Sequence, residues 1–364
     1  MHVRRLVGRR AMDGPTDPIA PRPRPPLRRR IEGLAWLTRP AIVLDSAFYA
    51  LCGWFLSSPR ATWHLAATLG SVWMARAGGI VMNDVLDYED DKRTAPQMPL
   101  PAGLVSVRGA AALALALMLS AGGLGLAAAT TAGGMVGITA TYVACFVLAV
   151  LYSRFKGSGF PGSLLMSIQV SFPGVVGWVA GGARDAGQFA IVFGALTLFG
   201  VRQNLLAGLR DIDTDPLIGL RTTAARLGME RAVAWVLRLT ALTSAALLVV
   251  AALRGNLAGV GLSVAGAALA LASIPGMTRT FRDDELRTRE SRSRSLRVLA
   301  RRSYVTAAAF PVTALPVAGL LAWVLHWTVD AFLSRAYHAR VTAGGLTGTG
   351  PGQLDATPKV HGVA

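Results

Sequence analysis

The hydrophobic residues of this chain fall in long unbroken stretches, not in the alternation of a half-buried strand or the narrow stripe of a soluble amphipathic helix. Nine stretches stand at roughly 34–56, 63–83, 107–127, 131–152, 160–181, 187–209, 232–253, 256–276 and 304–328. Each reaches the roughly 20 apolar residues that a helix needs to cross the hydrocarbon core of a bilayer. Water does not reach the backbone there, so each stretch is predicted to satisfy its own hydrogen bonds as an α-helix. Small residues crowd several of them, as in 110–129, which lets helix backbones approach closely in lipid. The pattern predicts an all-α polytopic membrane protein with nine transmembrane helices.

The polar ends set the domain limits. Residues 1–33 are predicted to be a disordered, basic, Pro/Arg-rich cytoplasmic arm skimming the membrane; the first thirty show no apolar core of a signal peptide. Residues 34–335 make the membrane domain, and residues 336–364 are predicted to be a disordered tail.

Composition and charge then narrow the class. The chain is 52% hydrophobic and only 16% charged, against about a quarter charged in a soluble domain. It is also basic, with 37 Lys and Arg against 20 Asp and Glu and a formal charge of +17. In a soluble protein that balance would suggest nucleic acid. Here the bases stand mostly between the apolar stretches, so membrane lipid is the expected partner and nucleic acid is not. The connections on one side hold 27 Lys and Arg, against six on the other. The positive-inside rule therefore places the N-terminus and the even-to-odd connections in the cytoplasm, with a bacterial inner membrane as the expected location. Cys52 and Cys145 both lie in apolar stretches, which indicates neither a disulfide framework nor a thiolate metal site.

Eight of the 20 acidic residues sit in two short clusters. Asn83-Asp84-Val85-Leu86-Asp87-Tyr88-Glu89-Asp90-Asp91 follows the second stretch, and Asp211-Ile212-Asp213-Thr214-Asp215 follows the sixth. Both fall on the basic side, four helices apart, which reads as a parallel internal repeat with a site between its halves. On a helix continuing through the first cluster, Asp84, Asp87 and Asp91 share a face, Asn83 borders it, and Glu89 and Asp90 turn away. Asp211 and Asp215 are likewise one turn apart, with Asp213 turned away. Like carboxylates on one face repel unless cations fill the space between them. The donors on offer are oxygens, which suit Mg²⁺, and Mg²⁺ usually bridges one or two carboxylates to substrate phosphates. The expected metal ligands and catalytic residues are therefore Asp84, Asp87, Asp91, Asp211 and Asp215, and the expected ligand is a diphosphate.

Basic and hydroxyl residues stand nearby. Asn83, Arg93, Tyr152, Lys156 and Arg210 are the candidates for binding that diphosphate, Tyr152 and Lys156 lying one helical turn apart. Arg76 lies inside the second stretch, about two turns before Asn83, where a charge is costly and usually functional. Arg76 and Asn204, the latter inside the sixth stretch, are the candidates for contacting the rest of the substrate.

Together these residues resemble the UbiA superfamily of intramembrane prenyltransferases. Asn83-Asp84-x-x-Asp87-x-x-x-Asp91 is similar to its NDxxDxxxD motif, and Asp211-x-x-x-Asp215, continued by Gly219-Leu220-Arg221-Thr222-Thr223-Ala224, to its second. Tyr152-x-x-x-Lys156 resembles the YxxxK element between them, and Arg39-Pro40 the pair that opens the first helix. Arg76-Ala77-Gly78-Gly79 resembles the Arg-x-x-Gly of the 4-hydroxybenzoate-type members. The family often has Arg-Pro-Leu where this chain reads Met98-Pro99-Leu100. The resemblance implies a bundle of two four-helix repeats plus one helix. It further implies Mg²⁺-dependent transfer of an isoprenyl group from its diphosphate to an aromatic or other lipophilic acceptor. Ring closure without an acceptor, as in a membrane terpene cyclase, uses the same ionisation and stays open. An ion-coupled transporter would instead place its acids near the bilayer midplane.

The charge count yields a topological prediction. Single cysteines introduced near Arg60, Arg184 and Arg254 should react with an impermeant thiol reagent applied to intact cells, and a cysteine at Arg93 should not. External labelling at position 93 would reverse the orientation.

Overall fold

The structure, a computed structural model, describes residues 25–58, 60–212, 215, 219–282, 295–296, 298–299, 304–337 and 339, without the side chains of Asp90, Arg93, Thr94, Arg210 and Tyr304. The arm over residues 1–24, Asp213, and nearly all of the tail beyond Tyr337 lie outside the described residues. The first described helix corrects the boundary of the arm. Helix α1 spans Leu27–Leu37, so residues 27–33 are helical rather than disordered. Pro26 stands immediately before its first turn, where its fixed φ suits helix entry. Gly33 and Leu37 are buried, while Leu27 and Ile31 stay exposed beside Arg28, Arg29 and Arg30, the pattern of a helix lying at a membrane surface.

The chain breaks at Thr38–Arg39, and Pro40 starts α2 (Pro40–Ser57). There follow α3 (Trp63–Leu86), α4 (Tyr88–Thr94), α5 (Val107–Ala128), α6 (Ala132–Phe155), α7 (Phe160–Ala180) and α8 (Ala186–Arg210). After these come α9 (Thr223–Leu227), α10 (Met229–Leu253), α11 (Leu257–Thr280), α12 (Tyr304–Ala314) and α13 (Pro316–Tyr337). Among the described residues, nine helical segments are long and apolar enough to cross a membrane. The chain is an all-α integral membrane protein.

Two sets of four helices repeat one packing scheme. α3 packs along α5 as α8 packs along α10, and α2 neighbours α3 as α7 neighbours α8. The leading helices of the two sets, α2 and α7, meet backbone to backbone. A Cβ added at Gly53 would fall 2.0 Å from the Gly174 carbonyl oxygen, and one at Gly177 would fall 2.0 Å from that of Ala50. Small residues in the apolar stretches serve this approach, since dispersion and close fit hold helices together in lipid.

The end of the chain departs from the expected single span at 304–328. Pro316 interrupts it, giving the short α12 and then α13, with Gly319 folded against the Pro311 carbonyl. Asn256, which caps the start of α11, donates to the carbonyls of Val312 and Thr313 at the end of α12. α13 then runs back, so that Tyr337 packs its ring on Trp36 and its hydroxyl reaches Met98. The two repeats are thus followed by a helix pair, and Arg335 lies on the side of α1, not on the side of Arg254 as the charge count assumed.

The α2–α7 contact supplies a stability test. Gly177→Val should lower the thermal midpoint of the detergent-solubilised protein, at a cost of about 1–3 kcal/mol for overpacking. Gly79→Ala has open space around its Cβ and should leave the midpoint almost unchanged. Equal midpoints for the two variants would show that α2 and α7 are not in backbone contact.

Candidate active site

The first acidic cluster forms where α3 gives way to α4. The helix bends at Asp87, which lies between them, rather than running straight through; the Asp87 and Asp91 amides still donate to the carbonyls four residues back. Asp84, Asp87 and Asp91 consequently stay close enough to repel one another electrostatically. Cations compensate them. Arg39 donates from Nη2 to Asp84 Oδ1 at 2.6 Å, and Lys156 donates from Nζ to Asp87 Oδ2 at 2.6 Å. Asn83 donates from Nδ2 to the same Asp87 oxygen at 3.0 Å.

Each of these contacts has a local cause. Arg39 holds φ 48°, a left-handed conformation uncommon for a side chain of its size, immediately before a proline. The break it makes between α1 and α2 aims the guanidinium at Asp84, whose side chain is only 4% exposed. Lys156 caps α6 one turn beyond Tyr152. Burial works against its charge, but the bond it donates to Asp87, together with the negative charge of Asp87 and Asp91 nearby, outweighs this and raises the Lys156 pKa. Burial also pushes the Asp91 carboxyl up to about 6, reinforced by Asp84 and opposed by Arg39.

The second cluster lies across a cavity of about 140 Å³ lined by Tyr152, Lys156, Asn204, Asp211, Asp215 and Thr222, among others. Asp211 follows the last residue of α8, and the Asp215 amide donates to the Asp211 carbonyl at 2.9 Å. Thr222 donates from Oγ1 to Asp215 Oδ2 at 2.9 Å, which places the segment before α9 against the cluster. Asn204 Oδ1 accepts from Ser163 at 2.6 Å, and Ser163 in turn meets Thr223 at 2.6 Å. Tyr152 lies close enough to both Asp87 and Asp215 to feel their charges, so the two clusters face one another across it. Arg76 lies deeper, half-buried, within electrostatic reach of Arg39, Tyr49, Asp45 and Tyr152.

Most sequence candidates with described side chains therefore gather at one end of the bundle. The side chains of Arg93 and Arg210 fall outside the described residues. Asn83 is exposed and serves Asp87 rather than lining the cavity. The five aspartates do not close into a cage: among the described residues, no three Asp, Glu, His or Cys side chains are grouped to hold a metal ion alone. The donor chemistry nevertheless fits a divalent metal shared with an anionic substrate, because carboxylate oxygens dominate and Mg²⁺ takes few of its ligands from protein. Sequence reasoning passed over Arg39, Ser163, Thr222 and Thr223 as site residues. Arg39-Pro40 and the Thr222-Thr223 pair were visible as motif, but their contacts depend on the tertiary fold.

This geometry agrees with what the chain resembles. The UbiA prenyltransferase family pattern matches residues 46–296, and the chain belongs to that family. It is an intramembrane prenyltransferase. Digeranylgeranylglyceryl phosphate synthase of Halobacterium salinarum is 32% identical over 210 residues, which cover 56% of this chain and 71% of that protein. The synthase of the same name from Ignicoccus hospitalis is 31% identical over 249 residues, 65% of this chain and 78% of that one. A UbiA homologue from Archaeoglobus fulgidus, solved with GPP and Mg²⁺, superposes with a TM-score of 0.58 at 19% identity, covering 78% of this chain and 99% of that one. At that identity the likeness shows the fold.

The Arg39–Asp84 pair can be tested on stability. Removing one partner of a buried pair costs roughly 3–5 kcal/mol; Arg39 keeps some solvent contact, so Arg39→Met should cost about 2 kcal/mol. The double change Arg39→Met/Asp84→Asn should recover part of that loss in thermal unfolding. Additive losses would show that the two side chains do not interact.

Proposed function

We propose that this end of the bundle binds an isoprenyl diphosphate with Mg²⁺ and transfers its prenyl group to a lipophilic acceptor. The observation that carries the reading is Tyr152 and Lys156 on the wall of the cavity that holds Asp211 and Asp215, with Lys156 bonded to Asp87 of the other cluster. A diphosphate in that space meets carboxylates from both repeats and cations between them. Asp84, Asp87, Asp91, Asp211 and Asp215 would hold Mg²⁺ jointly with the diphosphate oxygens. When bound, the metal supplies the positive charge that neutralises the leaving group.

The chain's own residues then have distinct work. Lys156 exchanges Asp87 for a diphosphate oxygen, a charge-assisted bond of the same geometry. Tyr152 donates its hydroxyl beside it, Asn83 holds Asp87 in place, and Arg93 and Arg210 stay, on their place in the sequence alone, the further candidates for the outer oxygens. Arg76 and Asn204 contact the substrate on the membrane side. The C1–O bond breaks with its electron pair on the diphosphate, and a nucleophilic atom of the acceptor bonds to C1 and gives up its proton. The apolar bundle keeps water from trapping the allylic cation. The names of the relatives support an acceptor over unassisted ring closure. The charge asymmetry of the connections supports a cytoplasmic site, and a bacterial inner membrane is the matching location.

Preorganised charge at a leaving group is worth about 10²–10³ in rate. Asp84→Ala, Asp87→Ala, Asp211→Ala and Asp215→Ala should each lose about that much turnover in membranes supplied with Mg²⁺ and radiolabelled prenyl diphosphate. Asp90→Ala and Asp213→Ala should stay within about tenfold of the parent chain. Because both clusters would hold one substrate, Asp87→Ala/Asp211→Ala should be far less damaging than the product of the single losses. Undiminished turnover in a chelated, Mg²⁺-free assay would remove the reading.

A further inference from the structure

A second cavity, of about 220 Å³, lies between α2, α8, α12 and α13. Its polar wall is Asp45, Arg202, Gln203, His326, Asp330 and Ser334. Phe48, Phe199 and Phe310 supply aromatic faces. Several of these charges sit inside apolar spanning helices, where they are costly and usually functional. Arg202 is only 2% exposed, lies over the Phe199 ring and donates to Gln203 Oε1 at 2.7 Å. His326 Nε2 meets Asp45 Oδ1 at 3.2 Å, and its ring packs tilted against that of Phe48. The family match ends at residue 296, so α12 and α13, which bring His326, Asp330 and Ser334, lie beyond it.

We infer that this chamber holds the head group of the acceptor, and that the head group is a neutral polyol. The inference rests on the prenyl-transfer reading above. Its place follows from continuity: Asp45 and Tyr49 line the chamber and lie within electrostatic reach of Arg76, about two turns from Asn83. Its chemistry follows from the wall. Two carboxylates face one guanidinium and His326, which is already taken up by Asp45, so no cation is left over for a phosphate or an aromatic carboxylate. Carboxylates accept from hydroxyls, Arg202 and Gln203 donate to hydroxyl oxygens, and Ser334, which donates to Asp330 Oδ1 at 3.3 Å, keeps its lone pairs to accept. Aromatic faces cover the C–H side of a small ring or glycerol unit. The volume has room for one such unit.

The test uses the full chain in lipid nanodiscs and a photoactivatable 1-O-alkylglycerol, compared with a 4-alkoxybenzoate carrying the same alkyl chain. Labelled peptides are mapped by mass spectrometry. The diol should label residues 45–49 and 326–334 in strong preference to the benzoate. Asp330→Asn and Ser334→Val should each cut that labelling about tenfold, the loss of roughly one strong hydrogen bond. Binding of radiolabelled geranylgeranyl diphosphate with Mg²⁺ should stay within about twofold in both variants. Equal labelling by the two probes, or labelling that both variants leave intact, overturns the inference. Selective diol labelling in a chain that binds no prenyl diphosphate would uphold the chamber as a polyol site while the prenyl-transfer reading fell.

Discussion

A carboxylate buried at the end of a membrane helix needs a cation beside it, and Arg39 meets that need for Asp84 at 2.6 Å. Much of the site's construction follows from this pair. It requires the chain to break before α2, which fixes Arg39 in a left-handed conformation and sets α1 off from the spanning helix. It leaves Asp87 to Lys156, which draws the end of α6 toward the end of α3. Desolvation makes an unpaired charge here costly, so the pairs hold the acids in place without filling all of their oxygen ligand sites. A site arranged in this way is poised to trade protein cations for those that arrive with substrate.

The second constraint is steric. α2 and α7 touch through Gly53, Gly174 and Gly177, and they are the leading helices of the two repeats. That contact fixes how far the repeats can separate, and therefore the span that Tyr152 bridges between Asp87 and Asp215. Bulk at those glycines would act on the site from a distance, by altering the gap that the diphosphate has to fill.

Much of this was legible in the sequence because membranes impose simple rules. Seven of the nine expected stretches are single helices with ends shifted by a few residues, and the first is broken only at Thr38–Arg39, since a bilayer core admits little else for an apolar run of that length. The aspartate spacing was equally readable, because helical geometry turns a step of three or four into a shared face. What escaped depended on contacts between distant segments. α1 looked like part of a disordered arm because its arginines mask a short apolar stripe. The final stretch looked continuous because Pro316 alone does not say whether a helix kinks or turns back. Arg202, His326 and Asp330 drew no notice because each is isolated in sequence, and only the return of α13 sets them around one chamber.

That return also orders events in time. A chain leaves the ribosome from its N-terminus, and its early segments settle before its late ones exist. α13 is the last described helix to emerge, yet it supplies one wall of the polar chamber and packs edge-on against α1, the first, through Tyr337 and Trp36. Until it arrives, Asp45 and Arg202 border an open flank of the bundle, so sealing that chamber is a late act of biogenesis, and a chain cut short before Pro316 would leave its buried charges facing lipid.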